Sequence, residues 1–212
     1  MLDPTELPTG VKHGATFDTL MIHPRDYLLY LLRIFEAAGG RTHRATLSSL
    51  SSVFQIQDAP SLASATAVVN CTGLGARELV HDETIFPTRG QLVLVRAPWL
   101  EYGMMRLGPK GSGIYTYTLP RLDGTCVIGG TALANDWDPL PRPETAKLIK
   151  ERGIALCPEL LPPDKRSLMR IEDLDVLEDM VGLRPTRRGG IRIEMDKLEY
   201  EGRMIPVLHH YG

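Results

Sequence analysis

One short segment of the chain is rich in groups that can bind an anion. Three arginines stand within five residues of the segment Val181-Gly-Leu-Arg-Pro-Thr-Arg-Arg-Gly-Gly190. A guanidinium stays charged, and its planar fork matches the two oxygens of a carboxylate. Arg184 follows an apolar run and precedes Pro185, which stiffens the backbone, so it is our candidate for binding a carboxylate. A solvated basic loop is the alternative, and it is favoured for Arg187 and Arg188.

A second segment could contact a cofactor. The run Val68-Val-Asn-Cys-Thr-Gly-Leu-Gly-Ala-Arg-Glu-Leu79 predicts a buried strand, a glycine-containing turn and a short helix. Such a turn can direct free backbone N–H groups at a phosphate or a flavin-like group above the carboxyl end of the strand. A lone Gly-x-Gly is also common in ordinary strand-to-helix connections, and the segment by itself favours that interpretation.

Two tyrosines share one face of a predicted strand. The alternation over Ile114–Leu119 places Tyr115 and Tyr117 together. A phenol can pack on an aliphatic ligand and can also hydrogen-bond a carboxylate, although paired tyrosines are also frequent at the edge of a core. His209 and His210 lack a nearby carboxylate at metal-ligand spacing, so we interpret them as packing and hydrogen-bonding residues.

The elements that must position these residues follow from hydrophobic periodicity. Leu28, Leu31, Leu32 and Phe35 predict an amphipathic helix over Pro24–Ala38. A second helix is predicted over Pro143–Cys157. Strands are predicted over Arg41–Leu47, Thr66–Cys71 and Gln91–Arg96, the last of them after a turn at Pro87–Gly90. A hairpin is predicted from strands over Ile114–Leu119 and Thr125–Gly129 with a turn at Leu122–Gly124. Further strands are predicted around 168–177, 190–194 and 203–209.

Composition narrows the class of protein. The 212 residues carry 24 Lys and Arg against 26 Asp and Glu, a net charge of −2, whereas domains that bind nucleic acid are usually strongly basic. The longest apolar stretch, Tyr27–Phe35, contains Arg33 and is far shorter than a membrane span. The cysteines are isolated, which is typical of reduced thiols inside the cell. We therefore predict a soluble, intracellular, mixed α/β protein with an antiparallel-rich half.

Taken together, the segments resemble the D-amino-acid oxidase family of flavoenzymes, which includes D-aspartate oxidase. The matching stretches occur in the family's order and cover nearly the whole chain. They are Glu6–Gly10, Val68–Gly75, Arg89–Gln91 with Ala97–Trp99, Tyr117–Arg121, Ile128–Thr131 with Asp136–Trp137, Val181–Pro185 and Leu208–Gly212.

The resemblance implies an α/β fold in which a mixed, antiparallel-rich substrate-domain sheet joins an incomplete, Rossmann-like FAD-binding domain. The expected divisions are a substrate-domain strand region over 1–22, a partial FAD-binding domain over 23–82, the substrate-binding domain over 83–195, and a return strand into the FAD-binding domain over 196–212.

The resemblance also implies a reaction and the residues that serve it. A D-amino acid gives its α-hydride to FAD, the imino acid hydrolyses to a 2-oxo acid and ammonia, and oxygen reoxidises the flavin to form hydrogen peroxide. Arg184 and Tyr117 take the place of the family's catalytic carboxylate-binding residues, with Tyr115 as a further substrate contact. The expected FAD contacts are Leu47, Thr72 and Gly73. No metal is expected.

Departures from the family pattern shape the expectations. Ala132 stands where some relatives carry a Tyr or Arg that reaches the substrate, which favours neutral or hydrophobic D-amino acids. The Gly-x-Gly-x-x-Gly strand-to-helix segment that holds the FAD phosphates is absent, and the sequence stops at Gly212, before the family's glycine-rich flavin loop. We therefore expect a chain truncated at both ends, with weak or no FAD binding by itself.

Other interpretations stay open at this point. A glycine or sarcosine type of amine oxidase from the same flavoprotein superfamily is one, and a catalytically inactive remnant is another. The expected partners are a small D-amino acid and oxygen, with no nucleic acid and no membrane, and a homodimer is compatible with the resemblance. The location would be peroxisomal or cytoplasmic.

Overall fold

The computed structural model describes residues 3, 5, 7, 11–108 and 114–212, and strands dominate its second half. The strands of the described residues are β1 (Val68–Asn70), β2 (Ile85–Arg96), β3 (Met104–Leu107), β4 (Ile114–Pro120), β5 (Thr125–Thr131), β6 (Leu133–Ala134), β7 (Val176–Arg187), β8 (Arg192–Tyr200) and β9 (Arg203–Tyr211). The helices are α1 (Pro24–Ala37), α2 (Ala76–Leu79) and α3 (Pro143–Leu156), with short 3₁₀ turns between them.

Six of these strands form the larger sheet. Strands β3, β4, β5 and β2 follow one another as antiparallel neighbours, β6 extends the β5 side of β2, and β7 pairs with the other side of β2 along nearly its whole length. This long pairing opposes Thr88 to Arg184 and Gly90 to Gly182. The remaining strands form a three-stranded sheet in which β9 lies between parallel β1 and antiparallel β8.

The main core lies between α3 and one face of the larger sheet. Alternate residues of β2 point into it, since Val93 and Val95 are fully buried and Leu92 and Leu94 are only partly so. Helix α3 contributes Ala146, Ile149 and Ile154, and it begins with Pro143 at its first turn and ends before Pro158. Gly153 lets the helix approach closely, because an added Cβ would come within 2.5 Å of Ile128. The opposite face, which carries the half-buried Leu92 and Leu94 of β2, is here called the free face.

A buried carboxylate links the two sheets. Oδ2 of Asp82 accepts hydrogen bonds from Nε of Arg187 at 2.9 Å and from the hydroxyl of Tyr211 at 3.0 Å, and its other oxygen accepts two from Thr84. Tyr211 in turn accepts a hydrogen bond from Arg192 at 2.8 Å. Since Arg187 ends β7 and Tyr211 ends β9, these contacts fix the end of one sheet against the end of the other.

Much of the predicted fold is confirmed. The mixed α/β class, the helices over Pro24–Ala37 and Pro143–Leu156, the hairpin around Leu122–Gly124 and the alternation of Tyr115 with buried Thr116 are all present. The domain divisions stay a prediction. Of the stretch Glu6–Gly10, residues 6 and 8–10 lie outside the described residues, and residues 11–22 have no regular secondary structure.

Several predicted elements are wrong. Residues 41–47 form no strand, because no described strand lies beside them to supply a hydrogen-bonded ladder. Residues 87–90 are not a turn but part of β2, since β7 pairs with them residue by residue. The stretch 168–175 forms 3₁₀ turns and irregular backbone, with a strand only from Val176. Val69 of β1 is exposed, not buried.

The apolar side of α1 has no cover in the described part of the chain. Leu28, Leu31, Leu32 and Phe35 all keep at least 38% of their surface exposed, and no residue of the helix is buried. The helix itself forms as predicted, with Pro24 in its first turn. No helix among the described residues is both long and apolar enough to cross a bilayer.

Replacing Asp82 tests the link between the sheets. The substitution Asp82→Asn removes the ion pair with Arg187 and is expected to lower the free energy of unfolding by about 2–4 kcal/mol. The control is Asp175→Asn, which removes an ion pair with Arg96 at 3.2 Å whose two side chains are each 56% exposed. Such an exposed pair contributes about 1 kcal/mol or less. Urea denaturation measures both, and equal losses would contradict the linking role.

The same carboxylate sets an acid dependence. Burial by itself raises the pKa of Asp82, but hydrogen bonds from Thr84, Arg187 and Tyr211 outweigh it and hold the pKa well below its usual range. The stabilisation is therefore complete above the unfolded pKa of about 3.9 and is lost as the pH falls below it. The stability difference between the wild type and Asp82→Asn should narrow from about pH 6 to about pH 3 in urea titrations. A constant difference would refute this assignment.

Candidate active site

Arg184 lies on the free face of the larger sheet. Its guanidinium lies over Gly90 of β2, and an added Cβ at Gly90 would overlap its terminal nitrogens. Nη1 also donates a hydrogen bond to the carbonyl of Thr131 at 3.3 Å, and the side chain is exposed. The sequence analysis predicted no strand between residues 177 and 190, whereas Arg184 belongs to β7. A strand paired along its length holds the residue more firmly than a loop would.

Tyr117 lies on the same face, over a second glycine. It pairs directly with Gly129 of β5, and a Cβ at Gly129 would overlap the phenol ring. Burial raises the pKa of Tyr117, and the positive charge of Arg184 acts in the opposite direction. The phenol is therefore protonated at neutral pH and can donate a hydrogen bond. Glycines at 90 and 129 are what allow a guanidinium and a phenol to lie flat on the sheet.

Beside the two tyrosines the sheet is apolar. Strand β3 places Met105 opposite Tyr117 and Leu107 opposite Tyr115. Tyr115, Met105 and Leu107 are exposed, with 42%, 62% and 70% of their surface accessible. The exposed surface next to Tyr117 therefore offers aliphatic and aromatic contacts to a ligand.

The other two arginines of the basic segment have different surroundings. Arg187 is partly buried and pairs with Asp82, so the interpretation of Arg187 as a solvated loop residue is wrong. Arg188 is exposed, as predicted, and its backbone N–H donates to the carbonyl of Thr84. Among the three arginines, only Arg184 lies beside Tyr117.

The predicted cofactor turn lies near Pro185, the residue that follows Arg184 in β7. Gly73 adopts a left-handed φ of 57°, and an added Cβ there would contact the ring of Pro185 at 3.5 Å. The Asn70 carboxamide oxygen accepts hydrogen bonds from the backbone N–H of Thr72 at 3.2 Å and from its hydroxyl at 2.7 Å. The structure thus brings Thr72 and Gly73 together with the strand that carries Arg184.

Leu47 is not brought into this group by any polar contact. It is half-buried in an irregular segment before the 3₁₀ turn Leu50–Gln55. None of the hydrogen bonds among the described residues joins it to Thr72 or Gly73. Its assignment as an FAD contact stays a prediction from the resemblance.

The Arg89-Gly-Gln91 stretch has a structural role that the sequence interpretation missed. Arg89 is fully buried and donates to the carbonyls of Asp138 at 2.8 Å and Leu140 at 2.5 Å. The Gln91 side chain donates to the carbonyl of Arg142 and accepts from its N–H. These bonds hold the loop after β6 against β2. In the sequence, the sign of this role is a charged residue, Arg89, directly before a glycine and an apolar strand. The backbone carbonyls that accept its hydrogen bonds explain why this charge can be buried.

These residues fit the flavin end of FAD together with a small carboxylate. Gly182, next but one to Arg184 on the same strand face, has no described atom within 4 Å of the position that a Cβ would take. Open space over a glycine, on the strand face that carries Arg184, suits a flat ring system and an anion. In the described part of the chain, no group of His, Cys, Asp and Glu side chains could hold a metal ion.

Comparison with known proteins identifies the family. The family described as FAD dependent oxidoreductase matches residues 1–210, and the chain belongs to this family. A D-aspartate oxidase of Cryptococcus neoformans is 35% identical in an alignment of 242 positions that covers 97% of this chain and 60% of that protein. A D-amino-acid oxidase of Schizosaccharomyces pombe is 33% identical over 210 residues, which cover 98% of this chain and 56% of that protein.

A solved structure supports the fold alone. The glycine oxidase of Bacillus cereus superposes with a TM-score of 0.50 at 21% identity, over 69% of this chain and 36% of that protein. The chain spans 60% of the length of the Cryptococcus oxidase and 56% of the length of the Schizosaccharomyces oxidase.

The glycine below Arg184 offers a test of the site geometry. In Gly90→Ala the new methyl group must displace the guanidinium, which is the flexible end of a side chain, so we expect a changed Arg184 position with a stability loss of about 1 kcal/mol or less. Gly182→Ala adds a methyl group on the same face without meeting any described atom. NMR of the Arg184 Nε–H should show a shifted resonance in Gly90→Ala only. The same spectrum in both variants would show that Arg184 does not lie over Gly90.

Proposed function

We propose that this protein uses FAD and oxygen to oxidise D-amino acids to 2-oxo acids, ammonia and hydrogen peroxide. The observation that carries the proposal is the arrangement of Arg184 and Tyr117 over Gly90 and Gly129, with the Thr72–Gly73 turn near Pro185, the next residue of the same strand. Membership of an FAD-dependent family and relatives named as D-amino-acid and D-aspartate oxidases support the same reaction.

In this proposal Arg184 and Tyr117 bind the substrate carboxylate. The guanidinium offers two parallel N–H donors and a full charge, and the protonated phenol donates a further hydrogen bond. Hydrogen bonds to charged groups contribute about 1.5–3 kcal/mol each. Two fixed donors also restrict rotation of the bound amino acid, so its Cα–H is presented in one direction.

Cofactor binding falls to Thr72 and Gly73, with Leu47 as a further contact predicted from the resemblance. The chemistry that FAD supplies when bound is the two-electron oxidation of the amino acid, with oxygen as the final acceptor. The protein's own contribution is binding and orientation, since holding reactants in the reactive geometry is itself a large part of catalysis. No side chain of the chain is required as an acid or base in this scheme.

We assign neutral or hydrophobic D-amino acids as substrates. The surface beside Tyr117 and Tyr115 is formed by Met105 and Leu107, and Ala132 follows β5. Arg106 alternates to the opposite face of β3, where it does not face Tyr117. A second carboxylate on the substrate would therefore meet apolar groups on this side. The oxidase activity, a homodimeric assembly and a peroxisomal or cytoplasmic location also belong to this proposal. They rest on the family resemblance.

Arginine variants test the carboxylate role. With FAD-loaded protein, Arg184→Ala should lower kcat/KM for D-alanine at least about 30-fold, the equivalent of about 2 kcal/mol. Arg184→Lys keeps the charge but loses the planar fork, so it should recover only part of this loss. The matched control is Arg188→Ala, four residues along the chain and outside the site, which should keep wild-type kinetics. Oxygen consumption measures all three, and an unchanged Arg184→Ala would refute the assignment.

A substrate panel separates the candidate reactions. We expect peroxide release with D-alanine and larger neutral D-amino acids, and much weaker release with D-aspartate. Preference for D-aspartate would contradict the assigned side-chain class. Activity on glycine and sarcosine without activity on larger D-amino acids would support a glycine-oxidase type of enzyme instead. No turnover of any substrate by FAD-loaded protein would support an inactive remnant.

A further inference from the structure

Two buried polar side chains stand side by side below the Thr72–Gly73 turn. Asn70 ends β1 and pairs in register with His209 of the parallel strand β9. Their side chains are almost completely buried, with 1% and 2% of each residue exposed. Nδ2 of Asn70 lies 3.1 Å from Nδ1 of His209. A buried contact of this kind has a definite donor and a definite acceptor.

The turn itself determines which way the Asn70 amide faces. The backbone N–H of Thr72 can only donate, and it lies 3.2 Å from Oδ1 of Asn70, so this atom must be the oxygen. The Thr72 hydroxyl, at 2.7 Å from the same oxygen, donates as well. The NH₂ group of Asn70 therefore faces His209 and donates to it. It follows that Nδ1 of His209 is an unprotonated acceptor.

The surroundings of His209 favour this neutral form. Burial lowers the pKa of His209, and the positive charge of Arg192 lowers it further. The carboxylates of Asp196, whose Oδ2 is 3.8 Å from Nε2, and of Glu194 act in the opposite direction. The ring of Tyr211 contacts the imidazole edge-on, with centroids 5.9 Å apart. The ring proton therefore belongs on Nε2, on the side of Asp196.

We propose that His209 is a positioning residue for cofactor binding. With Nδ1 it holds the Asn70 amide in the one orientation that satisfies both donors of Thr72, and through Asn70 it fixes the turn that carries Gly73. The importance of the turn for FAD rests on the function proposed above. His209 itself is buried and touches neither cofactor nor substrate in this account.

The position of the turn is sensitive to this arrangement. Thr72 is exposed, and Gly73 has a left-handed φ of 57° at a place where an added Cβ would lie 3.5 Å from Pro185, the neighbour of Arg184. If the Asn70 amide were free to rotate, its NH₂ group would face the N–H of Thr72 for part of the time. In that orientation two N–H donors, one from Asn70 and one from Thr72, face each other without an acceptor. The turn would then lose order at the residues proposed to contact the flavin.

Two substitutions of His209 separate positioning from packing. Asparagine places Oδ1 where histidine has Nδ1, so His209→Asn keeps an acceptor for Asn70 although it leaves a cavity. His209→Leu fills more of the space but offers no acceptor. The matched control is His210→Leu, because His210 is exposed and its side chain points to the other face of the same strand.

The first readout needs no cofactor. Amide hydrogen exchange of Thr72, followed by NMR in the 212-residue chain, should be about three- to tenfold faster in His209→Leu and close to wild type in His209→Asn and His210→Leu. Nitrogen-15 shifts of the wild-type imidazole should identify the Nε2–H tautomer. Wild-type exchange in His209→Leu, equal acceleration in His209→Asn, or a protonated Nδ1 would each overturn the proposal.

The second readout is FAD affinity, measured by quenching of flavin fluorescence on binding. His209→Leu should weaken binding by about fivefold or more, with His209→Asn and His210→Leu near wild type. Unchanged affinity in His209→Leu, despite faster exchange at Thr72, would overturn the link between His209 and the cofactor. If FAD-loaded wild-type protein oxidised no D-amino acid while the exchange and affinity patterns held, the proposed function would fail and the role of His209 in fixing the turn would stand.

Discussion

The buried carboxylate of Asp82 accepts hydrogen bonds from residues that are far apart in the sequence. Arg187 ends β7 of the six-stranded sheet, and Tyr211 ends β9 of the three-stranded sheet. A carboxylate removed from water is unfavourable unless its oxygens are satisfied, and four donors satisfy them here. Losing any one of these hydrogen bonds leaves the buried Asp82 carboxylate less well satisfied, so the contacts hold the two sheets in one arrangement.

This constraint matters for the site because each sheet contributes one half of it. The larger sheet carries Arg184 and Tyr117 on its free face, and the smaller sheet carries the Thr72–Gly73 turn at the end of β1. The turn lies near Pro185, two residues before the arginine that pairs with Asp82, since an added Cβ at Gly73 would be 3.5 Å from the proline ring. The distance between the residues proposed to bind the carboxylate and those proposed to bind the cofactor therefore depends on how the two sheets are held together.

Local sequence patterns predicted the elements whose partners are nearby. The helix over Pro143–Leu156 has a proline at each end, and the hairpin around Leu122–Gly124 has a turn between alternating strands, so both were evident. Arg184 stood out because an arginine after an apolar run is unusual in a solvated loop. The local pattern gave no sign that this segment pairs with β2, and it is this pairing that makes the segment around Arg184 a strand.

The residues that the sequence interpretation missed act through distant partners. Asn70 and His209 are 139 positions apart, and no local spacing indicates that they share a hydrogen bond. Arg187 looked like its neighbour Arg188, but only one of them meets Asp82. Gly90 and Gly129 are ordinary strand glycines until the side chains above them are known. Long-range pairing and burial decide these roles, and neither is visible in a single sequence.

The central claim is that one face of the molecule binds the substrate carboxylate and the flavin side by side. A crystal structure of FAD-loaded protein with D-alanine, captured without oxygen, tests it most directly. The account predicts both carboxylate oxygens at hydrogen-bond distance from Arg184, one of them also from Tyr117, and the flavin ring against Thr72 and Gly73. A carboxylate bound elsewhere, or a flavin that contacts neither Thr72 nor Gly73, would contradict it.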